Sequence, residues 1–245
     1  MTWNVKYGKH DMAAQAALVY HIDGNRPDVV LLQDATNILN GPLGDYLRTW
    51  HVRSDGQYVI ASRFPLSEME SLRMPMPGAD NCVRCRVHLG PTSITMYNVH
   101  FQSPREGLSA FMASRKRPGD LPEAVKRHED NVDIRLFQAR AIRELIRNEQ
   151  GPVIVAGDLN SADPSLVCKM LRDAGLHDAF AEGGRGYGYT YGHFLLQHRF
   201  PWLKTSWMRI DHIMVNPQLR TLRCWTGPLE ASDHRPVIAD LTVQQ

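Results

Sequence analysis

Asn4, Gln33-Asp34, Asn98 with His100, Asp158 with Asn160, Asp211-His212 and Ser232-Asp233-His234 all fall within or at the ends of apolar runs. Carboxylates and amides in such places are costly to desolvate unless they share a partner. A divalent cation is an economical partner for several of them at once. Donors rich in Asn and Asp oxygens suit Mg²⁺ or Mn²⁺ rather than Zn²⁺. Asn98 and His100 are two residues apart, as are Asp158 and Asn160, so each pair would share one face of a strand. Any one group alone reads more readily as a turn former or a satisfied core histidine than as a catalyst. Six in a single chain are harder to explain as turns. Eleven histidines also give the chain many groups that titrate near neutrality.

A competing metal reading comes from Cys82-Val83-Arg84-Cys85, with His88 nearby. Val83, Cys85, Val87 and Leu89 alternate with Arg84, Arg86 and His88, the period of a half-buried strand. Residues three apart on a strand point to opposite faces. Cys82 and Cys85 therefore cannot share a zinc ion or an unstrained disulfide, and no second such pair follows.

The elements that must position the polar groups are legible as hydrophobic periods. Thr2–Val5 reads as a very short first strand, and Met12–Ile22 as an alanine-rich helix ended by Gly24, Asn25 and Pro27. Val29–Gln33 and Val153–Ala156 are continuous apolar runs, typical of strands buried on both faces. Tyr58–Ala61, Ser93–Phe101, Ile210–Val215 and Val237–Val243 are further strands. Glu123–Asn148 carries Ile134, Phe137, Ala141 and Leu145 at helical spacing. Asp163-Pro164 reads as N-cap and first helical residue of a helix to about Ala174. Ser103–Pro122 and Gly183–Trp207 read as the loosest regions. Strands and helices interleave throughout, so residues 1–245 are expected to form a single catalytic domain.

Composition narrows the classes. The 245 residues are 43% hydrophobic and 22% charged, which excludes a mainly disordered chain. Four cysteines are too few for a disulfide scaffold of this length. No run is long and apolar enough for a membrane span, and no signal-peptide pattern is present. The expectation is a cytoplasmic protein, or an exported or membrane-anchored one if the native N-terminus has been trimmed. A net charge of +2 permits nucleic acid as partner without demanding it.

Thr2-Trp3-Asn4-Val5, Leu31-Leu32-Gln33-Asp34, Asn98-Val99-His100, Gly157-Asp158-Leu159-Asn160, Arg209-Ile210-Asp211-His212 and Ser232-Asp233-His234-Arg235-Pro236-Val237 follow one another in a telling order. In that order the chain resembles the endonuclease/exonuclease/phosphatase superfamily, which includes exonuclease III and deoxyribonuclease I, from Thr2 to Leu241. The resemblance implies a four-layered α/β sandwich, two mixed β-sheets packed face to face with helices outside. It implies metal-assisted hydrolysis of a phosphoester. Asp158 would activate or orient water, and Asn160 would hold it or a phosphate oxygen. Asp211 would fix the tautomer of His234, and His100 would donate to a non-bridging oxygen. Asn4, Asp34 and Asp233 would hold Mg²⁺, with Mn²⁺ as a substitute. At position 34 the superfamily normally has Glu, so the carboxylate is here one methylene shorter.

Two regions speak to the substrate. Arg115-Lys116-Arg117 and Lys126-Arg127-His128 form a basic cluster beside a loose loop, either a solvated face or a track for a phosphate backbone. Tyr187, Tyr189, Tyr191, Phe194, Phe200, Trp202 and Trp207 are seven of the chain's 20 aromatics. Arg199, Lys204 and Arg209 interleave with them, a mix suited to base stacking or to a lipid interface; a buried hydrophobic flap is the plain alternative. Arg115, Arg117, Tyr189, Trp202 and Trp207 are the expected substrate contacts. DNA is the expected substrate, cleaved by a 3′–5′ exonuclease or abasic endonuclease. The alternative is a lipid-linked or small-molecule phosphoester.

Overall fold

The computed structural model describes residues 1–6, 12–74, 82–115, 117–192, 200, 202 and 205–244. Two six-stranded mixed sheets form its centre. The first comprises β1 (Thr2–Asn4), β2 (Val29–Gln33), β3 (His51–Asp55), β4 (Tyr58–Ser62), β11 (Leu219–Thr226) and β12 (Val237–Val243). Their order is β11-β12-β1-β2-β4-β3. The second comprises β5 (Glu70–Leu72), β6 (Cys82–Leu89), β7 (Thr92–His100), β8 (Val153–Asp158), β9 (His177–Asp178) and β10 (Asp211–Val215), in the order β5-β6-β7-β8-β10-β9. Among the described residues only β1–β2 and β7–β8 pair in parallel.

Three buried clusters explain the layers. Leu31, Ile60, Val83, Met96, Ile154, Ile213 and Val237 meet between the sheets. The outer face of the second sheet packs Tyr97, Val99, Val155 and Met214 against α4 (Leu121–Ile146) and α5 (Leu166–Asp173), through Ile142, Ile146, Val167 and Leu171. The outer face of the first packs Trp3, Val30, Leu32 and Val59 against α1 (Met12–Asn25) and α2 (Pro42–Tyr46), through Leu18, Ile22 and Leu43. The result is the four-layered sandwich. Cys82 lies in the outer core and Cys85 in the inter-sheet core, as strand alternation requires.

Two expectations need correction. Ser103–Pro122 is not loose throughout, since α3 (Arg105–Ser114) forms within it. Its Gly107 is not a breaker there. A Cβ on it would lie 3.0 Å from the His128 Cα, so glycine lets α3 approach α4 closely. Asp163-Pro164 does not begin a helix, since α5 starts at Leu166. The N-cap of α5 is Ser165, whose hydroxyl accepts from the Cys168 amide. One further helix, α6 (Ala179–Gly183), is capped by Asp178, which accepts from the amides of Phe180 and Ala181.

Polar residues also hold the sheets together. Gln33 Nε2 donates to Asn98 Oδ1 at 2.6 Å across the sandwich, and Asn98 Nδ2 donates to the carbonyls of Leu32 and Val59. Asn98 is thus occupied in the core as a clasp between the sheets. No helix among the described residues is long and apolar enough to cross a membrane.

Candidate active site

Strand register places three of the predicted residues in one row. His100 on β7 is paired with Asp158 on β8, and Asp158 with Asp211 on β10. Residues in register on neighbouring strands project to the same side, so these three side chains converge at one end of the second sheet. The first sheet supplies the other half: Asn4 ends β1, Asp34 follows β2, and Asp233-His234 precede β12. Trp3 Nε1 donates to the His234 carbonyl at 2.9 Å, and Ser232 Oγ donates to the Asn4 carbonyl at 2.7 Å. These bonds tie the turn bearing His234 to β1.

Close packing is possible only because of Gly157. Its φ is 144°, and a Cβ there would lie 1.9 Å from the Val99 carbonyl oxygen. Asp34 and Asn160 hold left-handed backbone, with φ of 53° and 46°. Such conformations in non-glycine residues cost free energy and cluster where side chains must be aimed.

His234 Nδ1 lies 2.8 Å from Asp211 Oδ2, and its Nε2 lies 3.8 Å from Asp158 Oδ2. Ligating atoms of Asp158, Asp211 and His234 all fall within 4.8 Å of one another. Both Asp158 oxygens are engaged: Oδ2 accepts from Asn4 Nδ2 at 3.1 Å and Oδ1 from the Asn160 amide at 2.8 Å. Asn160 Nδ2 donates to the Phe101 carbonyl. His100 Nδ1 lies 2.6 Å from Gln57 Oε1, and its Nε2 lies 3.7 Å from Asp158 Oδ2. An amide, not a carboxylate, therefore orients His100.

Burial and the neighbouring Asp211 charge raise the Asp158 carboxyl above the usual carboxylate range. Burial would lower the His234 imidazole, but Asp211 and Asp158 outweigh it and push it up to about 9. Burial also raises Asp233, one of whose oxygens, Oδ2, is buried with no hydrogen-bond partner among the described residues.

These groups open onto a cavity of about 470 Å³. Asn4, Asp34, His100, Asp158, Asn160, Asp233 and His234 line it, with Asp211 behind His234. The remaining wall is largely apolar: Leu108 and Met112 of α3, Ala162, Met208 and Ile210. Lys6 and Arg105 bring positive charge to the rim. The Tyr191 ring lies 4.6 Å from that of His234, and its hydroxyl accepts from Arg105 Nη2.

The expected substrate contacts lie elsewhere. None of Arg115, Arg117, Tyr189, Trp202 and Trp207 lines this cavity. Arg115 and Arg117 are exposed beyond the C-terminal end of α3. Tyr189 stacks on Tyr187 at 5.1 Å, Trp202 is 76% exposed, and Trp207 Nε1 donates to the Gly192 carbonyl. Lys116, Phe194, Arg199 and Lys204 lie outside the described residues. Sequence reasoning missed Gln57, Lys6 and Arg105. Gln57 sits in the tight β3–β4 turn, where a polar residue carries no chemical signal of its own.

A model of the Endonuclease/Exonuclease/phosphatase family matches residues 1–234. The chain belongs to that family. Its name covers nucleases and phosphatases, and its members are generally hydrolases of phosphoesters. Solved family structures share the fold. One is an endonuclease/exonuclease/phosphatase family protein from Leptotrichia buccalis, 15% identical, with a TM-score of 0.66 and 98% of each chain covered. Another is a humanized D. rerio TDP2 with 14 mutations, 19% identical, with a TM-score of 0.67 over 99% of this chain and 97% of that one. A third, from Bacteroides vulgatus, is 19% identical, with a TM-score of 0.69 over 99% and 97%. No curated protein matches the chain.

Proposed function

We propose that the protein is a Mg²⁺-dependent phosphodiesterase and that DNA is its substrate. The observation that carries the reading is the convergence of His100 and Asp158 from one sheet on His234 from the other at one cavity, with Asp211 behind His234.

The donors fit a hard divalent cation. Asn4, Asp34 and Asp233 offer oxygens to the same cavity, and Asp233 Oδ2 is buried without a hydrogen-bond partner among the described residues. These three residues would hold Mg²⁺ or Mn²⁺. When bound, such an ion neutralises charge that builds on phosphoryl oxygens.

The chain's own groups account for the rest. Asp158, raised by burial, accepts a proton from the attacking water more readily than an ordinary carboxylate. Asp211 holds Nδ1 of His234, so Nε2 faces the phosphoryl group as a charged donor at neutral pH. Gln57 turns Nε2 of His100 the same way. Asn160 is fixed through Phe101 to contact water or a phosphate oxygen.

The apolar wall favours a second reading, a lipid-linked or small phosphoester with an apolar group beside the phosphorus. Leu108 and Met112 are 48% and 62% exposed at that wall. Labelled single- and double-stranded DNA should be set beside an isoprenyl pyrophosphate, each with EDTA and then with Mg²⁺. DNA cleavage that EDTA abolishes and Mg²⁺ restores is the expected result. Cleavage of the pyrophosphate alone would transfer the assignment to the second reading. Cleavage of neither, with Mg²⁺ or Mn²⁺, would refute both.

A further inference from the structure

Behind the row of site residues lies a second polar cluster that the proposed chemistry does not use. His212 follows Asp211 on β10 and so points to the opposite face of the sheet. Its Nδ1 lies 2.8 Å from Asp178 Oδ2, and its Nε2 lies 3.2 Å from the Ser161 carbonyl oxygen and 3.9 Å from Cys168 Sγ. Arg209 Nη1 donates to the same Asp178 oxygen at 2.6 Å, and Arg209 Nη2 donates to Asp163 Oδ2 at 3.2 Å. Asp163 Oδ1 accepts from Arg172. His212 and Asp178 are buried, and the Arg209 side chain is nearly so.

The acceptors around the His212 ring define its form. Asp178 Oδ2 and the Ser161 carbonyl accept, and although Arg209 Nη1 also lies 3.1 Å from Nδ1, the shorter contact of Nδ1 is to the Asp178 carboxylate, so both ring nitrogens do best as donors. That is an imidazolium, a second buried cation beside Arg209. Asp178 is anchored in turn, since its other oxygen caps α6.

What the two cations grip is informative. Ser161 directly follows Asn160, whose left-handed backbone places its side chain, and Asp163 lies two residues further on. One end of this segment is fixed in β8 at Asp158, and the Leu159 amide donates to the Ile210 carbonyl. The other end is held through Ser161 and Asp163, by Arg209 and His212 together with Arg172 and Cys168 of α5. Arg209 and His212 flank Asp211 in sequence. One short segment therefore sets the position of Asp211 and, through these bonds, the exit of the Asp158–Asn160 turn.

We propose that Arg209 and His212 are positioning residues that hold Asn160 and Asp158 in register with Asp211 and His234, through the Ser161 carbonyl and Asp163. Neither touches the cavity. Their effect is on placement, where a displacement of about 1 Å can cost on the order of 100-fold in rate.

Removing a buried cation outright invites unfolding, so the test uses milder variants, Arg209→Lys and Asp163→Asn. Lysine keeps the charge but cannot span both carboxylates. Two readouts are taken on variants that retain the parent near-ultraviolet dichroism. One is turnover of bis(p-nitrophenyl) phosphate with MgCl2. The other is the ¹⁵N–¹H resonance pair of the Asn160 side-chain amide. The expected result is a fall in kcat of at least tenfold with KM within about threefold, together with displaced Asn160 amide resonances. If kcat stays within twofold, or the Asn160 amide does not move, the proposal is overturned. The turnover arm rests on the phosphodiesterase reading. If the parent leaves the probe intact, that reading is at fault, and the Asn160 resonances alone decide the positioning claim.

Discussion

His234 and Asp211 share a 2.8 Å contact and act on the same proton-bearing ring. His234→Ala is expected to lower turnover by ~10²–10⁴. Asp211→Asn should cost a similar factor, and the double variant little more than either, because groups acting as a unit are not additive. Steady-state kinetics on the three variants check this, and additive losses would separate the two roles. Asp34 is a distinct case. It reaches the cavity from left-handed backbone, with a carboxylate shorter than the superfamily's usual Glu. Asp34→Glu should bind Mg²⁺ at least as well as the parent, and Asp34→Ala should raise the metal requirement by on the order of tenfold or more. Mg²⁺ titrations that coincide for all three proteins would remove Asp34 from the metal set. At this scale most of the polar residues that line the candidate site were legible, because carboxylates inside apolar runs are rare. Gln57 was not, because an amide in a hairpin turn looks like any other turn residue.

The elements differ in how openly the sequence declares them. β2 and β12 were readable to the residue, β2 as an apolar run and β12 by alternation, with Val237, Ala239, Leu241 and Val243 on the inter-sheet face. β11 was not, because Leu219–Thr226 intersperses arginines and threonines on an edge strand half open to solvent. The cap of α5 went to Ser165, whose hydroxyl accepts from the Cys168 amide, while Asp163 pairs with Arg172 and Arg209 instead. β8 carries the tightest steric demand. Gly157→Ala would drive a methyl group into the Val99 carbonyl and should destabilise the fold by about 3 kcal/mol. Urea unfolding measures this, and a loss below about 1 kcal/mol would show that β7 and β8 can part there. The aromatic segment predicts the opposite balance. Trp202 is largely exposed, so Trp202→Ala should leave thermal stability unchanged. If the segment stacks on bases, that variant should weaken single-stranded DNA binding by ~1–3 kcal/mol. Unaltered affinity in a filter-binding titration would take Trp202 out of the substrate path.

Across the whole molecule, pH links the site to stability. Burial alone would lower His212, but Asp178 and Cys168 raise it to about 10, above its ordinary 6.5. A cation raised in the folded state contributes stability that is complete below about pH 6.5 and is lost as pH rises towards 10. His234, raised to about 9, adds to the same window. The thermal midpoint should therefore fall from pH 6.5 to 10, by on the order of 5 °C. The slope should flatten in His212→Gln. A midpoint that holds steady across that range in the parent would show that these imidazoles are not cationic in the fold.

The clasp between Gln33 and Asn98 has its own consequence at this largest scale. Asn4, Asp34 and the Asp233–His234 turn travel with one sheet, while His100, Asp158 and Asp211 travel with the other. The four cysteines are free, so no disulfide sets the gap between the sheets. Two amides 2.6 Å apart, one residue from Asp34 and two from His100, act as a gauge block for that gap. Trimming or swelling the gauge would respace oxygens and imidazoles that it never touches. The interior of the sandwich thus becomes a tuning screw for chemistry at its rim.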